Sequence, residues 1–101
     1  MIGVIVSIGP GEDLDRERAR SVAEQARPMF EGMAGLHSKV FTWDEERGSV
    51  ANVYIWESEQ AARAFFTPEL GQMVETLYGV APEIRFVEVA ALVENGAAVA
   101  G

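Results

Sequence analysis

The sequence predicts an α+β fold with one four-stranded antiparallel sheet whose helices all lie on the same face. The first observation is the order of strand-like and helix-like segments, β-α-β-β-α-β, which is that of the split βαβ unit. The second is the composition, since 49% hydrophobic and 24% charged residues are typical of a globular chain. The 101 residues match one domain, expected over residues 1–94, with a flexible Gly/Ala-rich tail over 95–101.

A Gly-Pro-Gly turn separates the first strand from the first helix. Residues 2–8 are β-branched and apolar at both parities, as expected of a buried central strand. From Asp15 the apolar residues recur at helical spacing as far as Met33, and acidic residues stand where a helix N-terminus favours negative charge. Pro28 removes one hydrogen bond of this helix, which predicts a kink or an early end near Arg27.

The middle of the chain predicts a β-hairpin. Residues 36–43 and 49–56 are strand-like, and the polar segment between them ends at Gly48, a residue type that readily adopts positive φ. The acidic residues 44–46 are expected to form a solvated hairpin tip rather than a metal site, because a hairpin tip does not easily converge three carboxylates.

A second helical segment and a last strand complete the pattern. Ser58 is an expected N-cap, and helical spacing then continues to Leu77. The pair Thr67-Pro68 interrupts this spacing, so we expect the second helix to be broken in two. Residues 84–93 predict a long final strand.

Helices on a single face leave the other face of the predicted sheet uncovered. The third strand carries an aliphatic side formed by Ala51, Val53 and Ile55. An open sheet of this kind would expose a larger apolar patch than monomers usually carry. We therefore expect a second copy of the chain to pack sheet against sheet in a homodimer.

The other side of the third strand carries the main candidate functional residues. Asn52, Tyr54 and Trp56 alternate with the aliphatic residues and so share one face. If this face lies against the helices, the amide, the phenol and the indole each need a hydrogen-bond partner, which a ligand could supply. The alternative is that other protein groups satisfy them.

Three further residues are candidates for the same site. His37 is the only histidine and could act as a general base near neutral pH, or it could lie at the surface. Lys39 has the same parity and could balance an anionic ligand, or it could discourage pairing at the sheet edge. Phe65, in the second helical segment, is expected to contact the substrate.

Charge and motif content disfavour several classes of function. A net charge of -8 opposes binding to nucleic acid or to an anionic membrane surface. No segment has the roughly 20 apolar residues that span a bilayer. A chain without cysteine has neither disulfides nor a thiolate metal site, and the cytoplasm is the expected location. The sequence contains no nucleotide-binding or nucleophile motif, so we expect no cofactor and no metal.

Three segments of the chain resemble a known family. They are Gly35-Leu36-His37-Ser38-Lys39-Val40-Phe41-Thr42, Asn52-Val53-Tyr54-Ile55-Trp56-Glu57-Ser58-Glu59-Gln60-Ala61-Ala62 and Leu77-Tyr78-Gly79-Val80. Together they are similar to the small bacterial mono-oxygenases of the antibiotic-biosynthesis type, within the dimeric α/β-barrel superfamily. The resemblance covers about residues 2–94 and implies a ferredoxin-like fold whose dimer forms one shared barrel.

The resemblance implies a cofactor-independent mono-oxygenase acting on an electron-rich phenol, an anthrone-like molecule or an enol. Quinone-forming members of the superfamily use an asparagine and a tryptophan four positions later, a spacing that Asn52 and Trp56 match. The substrate would lose a proton and pass an electron to O₂, with these two residues as hydrogen-bond donors. Tyr54 would orient the substrate, and His37 would be the base.

Two other functions stay open at this point. One is a non-redox polyketide cyclase or isomerase, and the other is a small-molecule-binding dimer without catalysis. The haem-degrading branch of the superfamily is disfavoured, because it uses an axial histidine on the second helix and residues 58–79 contain none.

Overall fold

The computed structural model describes residues 1–95, and these residues confirm the predicted α+β, ferredoxin-like fold. The elements are β1 (Ile2–Ile8), α1 (Arg16–Phe30), β2 (Leu36–Val40), β3 (Val50–Trp56), α2 (Glu59–Phe65), α3 (Pro68–Tyr78) and β4 (Pro82–Glu88). The strands form one sheet in the order β2-β3-β1-β4, and every neighbouring pair is antiparallel. Of the expected flexible tail, residues 96–101 lie outside the described part of the chain.

The first helix begins as the sequence predicted but ends later than expected. The side chain of Asp15 caps it by accepting a 2.8 Å hydrogen bond from the backbone N–H of Arg18. Helix α1 then continues past Pro28 to Phe30, so the expected end near Arg27 is wrong. Pro28 lacks the N–H that would bond the Glu24 carbonyl, so the last turn has one hydrogen bond fewer, and the helix closes with a 3.3 Å bond from Glu31 N–H to the Arg27 carbonyl.

The break in the second helical segment is confirmed. Ser58 and Thr67 cap α2 and α3, and each side chain accepts a hydrogen bond from the backbone N–H three residues later. Pro68 occupies the first turn of α3, where its missing N–H costs no helical hydrogen bond. Gly79, with φ of 81°, ends α3 in the left-handed conformation. Within residues 1–95, no helix has the length and apolarity needed to cross a membrane.

Two strands are shorter than the sequence predicted, because strand ends depend on the neighbouring strand. β2 was expected over 36–43 and ends at Val40, since the Thr42 hydroxyl replaces the ladder by bonding both backbone groups of Ala51, at 2.7 and 3.1 Å. β4 was expected over 84–93 and ends at Glu88, which pairs with the first residue of β1, so no partner strand extends further.

The two faces of the sheet have different surroundings. Toward the helices, Val4, Val6 and Ile8 of β1 are at most 2% exposed and form the centre of the core. The other face is only partly buried, and Val40 on it is 55% exposed. We call this second side the aliphatic face, and its apolar members are Ile5, Val40, Val53, Ile55 and Val87. The homodimer that would cover it stays a prediction.

Candidate active site

Strand β3 places its three aromatic and polar candidates beneath the helices, on the side that strand alternation predicted. Asn52, Tyr54 and Trp56 are 3%, 5% and 2% exposed, whereas the aliphatic residues between them are only partly buried. All three side chains are therefore removed from water. The hydrogen bonds of each one decide whether it is available to a ligand.

The side-chain oxygen of Asn52 has a partner in the protein, and its amide N–H groups remain as donors. The oxygen accepts a 3.3 Å hydrogen bond from the backbone N–H of Thr42. The amide lies beside the hydroxyl of Tyr78, where it partly offsets the rise that burial causes in the pKa of Tyr78. Asn52 thus joins the end of β2 to the end of α3 across the floor of the site.

Lys39 folds inward over the site from the edge strand β2. Its Nζ donates a 2.7 Å hydrogen bond to Tyr54 Oη. The same atom lies 3.5 Å from the ring centre of Phe30, 4.0 Å from that of Phe41 and 4.2 Å from that of Tyr54. Ring faces at these distances attract a cation. Lys39 is therefore surrounded by aromatic rings, a position that disfavours the alternative in which it only discourages pairing at the sheet edge.

Burial changes the acid–base behaviour of this pair of side chains. Loss of hydration lowers the pKa of Lys39 from 10.5 to about 7. Burial, together with the nearby Tyr78, raises the pKa of Tyr54 above its ordinary value of 10.0. At neutral pH the phenol stays protonated, whereas the amine gains and loses a proton. The surrounding ring faces favour the ammonium form, so both forms of Lys39 are accessible.

Trp56 lies behind Tyr54 in an aromatic cluster. The two rings are stacked, with centres 6.2 Å apart and planes 10° apart, and the Phe65 ring is 5.3 Å from that of Trp56. The indole N–H of Trp56 is buried and has no hydrogen-bond partner among the described residues. A buried donor without a partner is costly, so this N–H is available to an acceptor that reaches it.

A small cavity of about 40 Å³ lies between the sheet and helices α1 and α3. Asn52, Tyr54, Lys39, Phe65 and Tyr78 line it together with aliphatic side chains, whereas Trp56 and His37 do not. This space is close to the volume of one water molecule, while small-molecule sites are typically about 300–1,000 Å³. Occupation by a ligand of several rings therefore requires side chains to move.

An open groove of about 610 Å³ lies outside the cavity, between α1 and the edge strand β2. Phe30, Lys39 and Phe41 line both the groove and the cavity. These three side chains are thus a shared wall of the two spaces. The groove is large enough for a small aromatic molecule.

His37 lies apart from the cavity. A β-bulge between Leu36 and Ser38 makes His37 an extra residue of β2, so it does not share the register of Lys39. Its side chain lines the groove, and its Nε2 is 3.4 Å from a carboxylate oxygen of Glu94. Within residues 1–95 no cluster of three His, Cys, Asp or Glu side chains suits a metal ion.

The sequence interpretation did not identify three side chains of the site. Tyr78 follows Val74 by four residues on the inner side of α3, and this spacing was the one available signal for it. Phe30 is the last residue of α1, and the sequence around Pro28 did not show whether this last turn is helical. Phe41 lies beyond the observed end of β2, two residues after Lys39, and that parity was the one available signal.

No family model matches the sequence, and no curated protein matches it at a significant level. Solved structures do match over most of the chain. A monooxygenase from Streptomyces coelicolor, solved with the ligand nanaomycin D, is 19% identical, with a TM-score of 0.67 and coverage of 94% of this chain and 92% of that one.

Two further solved structures have the same fold. SnoaB, a cofactor-independent oxygenase from Streptomyces nogalater solved as an asparagine-to-alanine mutant, is 13% identical, with a TM-score of 0.66 and coverage of 91% and 95%. A provisionally assigned antibiotic biosynthesis monooxygenase from Bordetella bronchiseptica is 21% identical, with a TM-score of 0.67 and coverage of 89% and 97%. The TM-scores and the coverage establish the shared fold, which confirms the resemblance at that level.

Proposed function

We propose that the protein is a cofactor-independent mono-oxygenase of an electron-rich phenol, anthrone-like or enolic molecule, which it binds between β3 and the helices. The observation that supports this proposal is the composition of the cavity wall. An amide, two phenols and an amine, from Asn52, Tyr54, Tyr78 and Lys39, converge on an otherwise apolar interior. Oxygenases among the solved structures of the same fold add to this support.

The proposed reaction needs no reductant from outside. The substrate loses a proton to give a phenolate or enolate, which transfers one electron to O₂. The resulting radical pair combines to a hydroperoxide on the substrate carbon. Loss of water then leaves a new carbonyl group, so one oxygen atom enters the product and the other leaves as water. The protein has to exclude bulk water, orient the ring and stabilise the oxyanion.

The residues of β3 suit these tasks in the proposed complex. The amide of Asn52 and the unpartnered indole N–H of Trp56 are the donors for the oxyanion. Tyr54 orients the substrate through its hydroxyl, and Phe65 offers a ring surface against which an aromatic substrate packs. Trp56 comes into reach only when the cavity widens, because Tyr54 and Phe65 stand between it and the present space.

We propose that the substrate enters from the groove between α1 and β2. Phe30, Lys39 and Phe41 line both the groove and the cavity. Rotation of these side chains joins the two spaces without moving the sheet. The side chains that rotate include those that surround the Lys39 amine. Entry of a ligand therefore also changes the environment of that amine.

We also propose that two copies of the chain pack through the aliphatic face. Its members are apolar and partly exposed, and they lie on all four strands of the sheet. Burying such a face removes apolar area from water, at about 25 cal/mol per Å². Because the candidate active site lies on the opposite side of the sheet, dimerisation leaves the groove open.

Oxygen consumption tests the proposed reaction. The protein is incubated with an anthrone-type phenol in an oxygen electrode, and product is quantified by chromatography with and without air. The proposal expects one O₂ consumed for each product formed, and no product without air. Product formation without oxygen uptake would identify a cyclase or isomerase instead. Binding without turnover would identify a binding protein.

A further inference from the structure

The proposed reaction begins with loss of a proton, and the described side chains differ in their ability to receive it. His37, the expected base, faces the groove and contacts Glu94 instead of the cavity. Asn52 has no basic atom, and the phenols of Tyr54 and Tyr78 are not ionised at neutral pH. The Lys39 amine is the remaining basic group of the cavity wall.

We propose that Lys39 receives the substrate proton through the hydroxyl of Tyr54, an inference that rests on the proposed function. The substrate O–H gives its proton to Tyr54 Oη while the proton already on Oη moves to the neutral Nζ of Lys39. The substrate leaves this step as a phenolate or enolate, and Lys39 leaves it as an ammonium. No electron is gained or lost until O₂ reacts.

The contact between the two residues has the geometry of a proton path. Lys39 Nζ and Tyr54 Oη are 2.7 Å apart, within the range of a strong hydrogen bond. Both side chains line the cavity, so a substrate hydroxyl there reaches Oη directly. Tyr54 contacts the substrate and is the catalytic residue of the pair, whereas Lys39 acts through it.

The aromatic rings favour the product of this transfer. An ammonium at Nζ lies over the faces of Phe30 and Phe41, at 3.5 and 4.0 Å from the ring centres. It also lies beside the newly formed anion in an environment with little water, where opposite charges attract strongly. The same surroundings that disfavour an isolated ammonium therefore stabilise the ion pair.

Lys39 is the only lysine of the protein. The other seven basic side chains in the total of eight Lys and Arg are arginines. A guanidinium does not give up its proton in a protein, whereas an amine readily does when it is buried. The one basic side chain that lies inside the site is thus also the one whose chemistry allows proton uptake.

The charged groups around Lys39 contribute little to its titration, which burial and the aromatic rings determine. Its pKa is lowered to about 7 by loss of hydration. Among residues 1–95, no carboxylate lies within 4.0 Å of its Nζ. The titratable and charged side chains around it are Arg20, Glu24 and Arg27 of α1, Glu31 directly after that helix, His37 of β2, Tyr54 of β3 and Tyr78 of α3. Of these, Arg27 lies 3.9 Å from both Glu24 and Glu31, which offset its charge.

The first experiment observes the proton transfer without oxygenation. The probe is 2-naphthol, a phenol whose ionised form absorbs at longer wavelength than its neutral form. It is bound to the protein at neutral pH under nitrogen. Wild type is expected to hold the probe as naphtholate, whereas Lys39→Met and Tyr54→Phe hold it in the neutral form. Neutral naphthol bound to wild type, or naphtholate bound to Lys39→Met, overturns the inference.

The second experiment is the pH profile of kcat/KM for oxygen uptake. Only the neutral amine accepts a proton, so the wild-type rate should rise with pH and level off above about 7. Lys39→Met should lose this rise, and its activity should increase only where the substrate ionises by itself, near the ordinary phenol pKa of about 10. A wild-type rise that persists in Lys39→Met overturns the inference and leaves the proposed function intact.

Control variants separate the proton path from general effects of charge and folding. Arg16→Met removes an exposed cation that pairs with Glu45, and it should behave as wild type in both experiments. If Lys39→Met does not fold, Lys39→Arg replaces it in both experiments. The arginine keeps the positive charge but does not accept a proton, so the probe bound to this variant should stay neutral. Naphtholate in wild type without any oxygen uptake supports the proton path and refutes the oxygenase. Absence of both probe binding and turnover refutes both.

Discussion

The amide of Asn52 has a structural task and a proposed catalytic one. It accepts from the Thr42 N–H and contacts Tyr78, so it holds the floor of the cavity even without ligand. We predict that Asn52→Ala lowers kcat about a hundredfold, because one preorganised donor to an oxyanion contributes about 3 kcal/mol. The oxygen electrode measures the rate, and circular dichroism verifies the fold. An unchanged kcat in a folded variant would refute the role of Asn52.

The titration of Lys39 should also be visible in stability. The pKa of Lys39 is about 7 in the folded protein, whereas its ordinary value in water is 10.5. The unfolded chain therefore binds more protons at pH values between these two. The free energy of unfolding of wild type should therefore rise, relative to Lys39→Met, as pH increases from about 7 to about 10. Urea unfolding at several pH values measures the difference. A constant or falling difference would show that the folded pKa is not lowered.

Single side chains were predictable from sequence where strand alternation alone decides their direction. The period of β3 placed Asn52, Tyr54 and Trp56 on one face, and the structure has them there. The surroundings of Lys39 were not predictable, because they depend on contacts distant in sequence. Phe30 reaches the Lys39 amine from the end of α1. The β-bulge at His37 shifts this histidine out of the register that it was expected to share with Lys39.

At the level of elements, the end of α1 lies at the proposed entry to the cavity. The Phe30 ring is 5.7 to 5.9 Å from the rings of Phe41, Tyr54 and Phe65 and lies over Lys39. It joins the helix to the sheet at the wall between groove and cavity. A change at this one position should therefore affect both packing and entry.

We predict that Phe30→Ala speeds association of 2-naphthol and lowers stability by about 3 kcal/mol, the lower end for a Phe-to-Ala change because Phe30 is only partly buried. Stopped-flow mixing measures association, and urea unfolding measures stability. Leu92→Ala, which removes an exposed apolar side chain outside both spaces, is the control. If association is no faster in Phe30→Ala, the substrate does not enter from the groove.

Elements whose ends are set by local signals were predictable, and the others were not. Ser58 caps α2 as the sequence predicted, and the side chains of Asp15 and Thr67 cap α1 and α3 where helical spacing was expected to begin and to resume. The C-terminal ends of helix α1 and of strands β2 and β4 differ from those that the sequence predicted. There the stop depends on a later turn, on a side chain such as Thr42, or on the length of the partner strand.

At the level of the whole molecule, the two faces of the sheet have separate proposed roles. The helix-facing side holds the candidate active site, and the aliphatic face is the proposed dimer contact. The element order predicted this division, because helices on one face leave the other uncovered. The size of the cavity was not predictable, since it results from the packing of side chains from α1, α3 and the sheet.

We predict a dimer of twice 11.0 kDa in light scattering, and a monomer for Val53→Glu, which places a charge in the aliphatic face. Val93→Glu, at a position that is 79% exposed and beyond β4, should leave the dimer intact. A monomeric wild type would refute the proposed contact, and so would a dimeric Val53→Glu variant.

Isotope labelling tests the central claim, oxygenation of a bound phenol, most directly. The protein is incubated with an anthrone-type substrate under oxygen-18 gas, and the product is weighed by mass spectrometry. The account predicts one labelled oxygen atom in each product molecule, with the second atom of O₂ recovered as labelled water. Unlabelled product, or the same product formed under nitrogen, would contradict it.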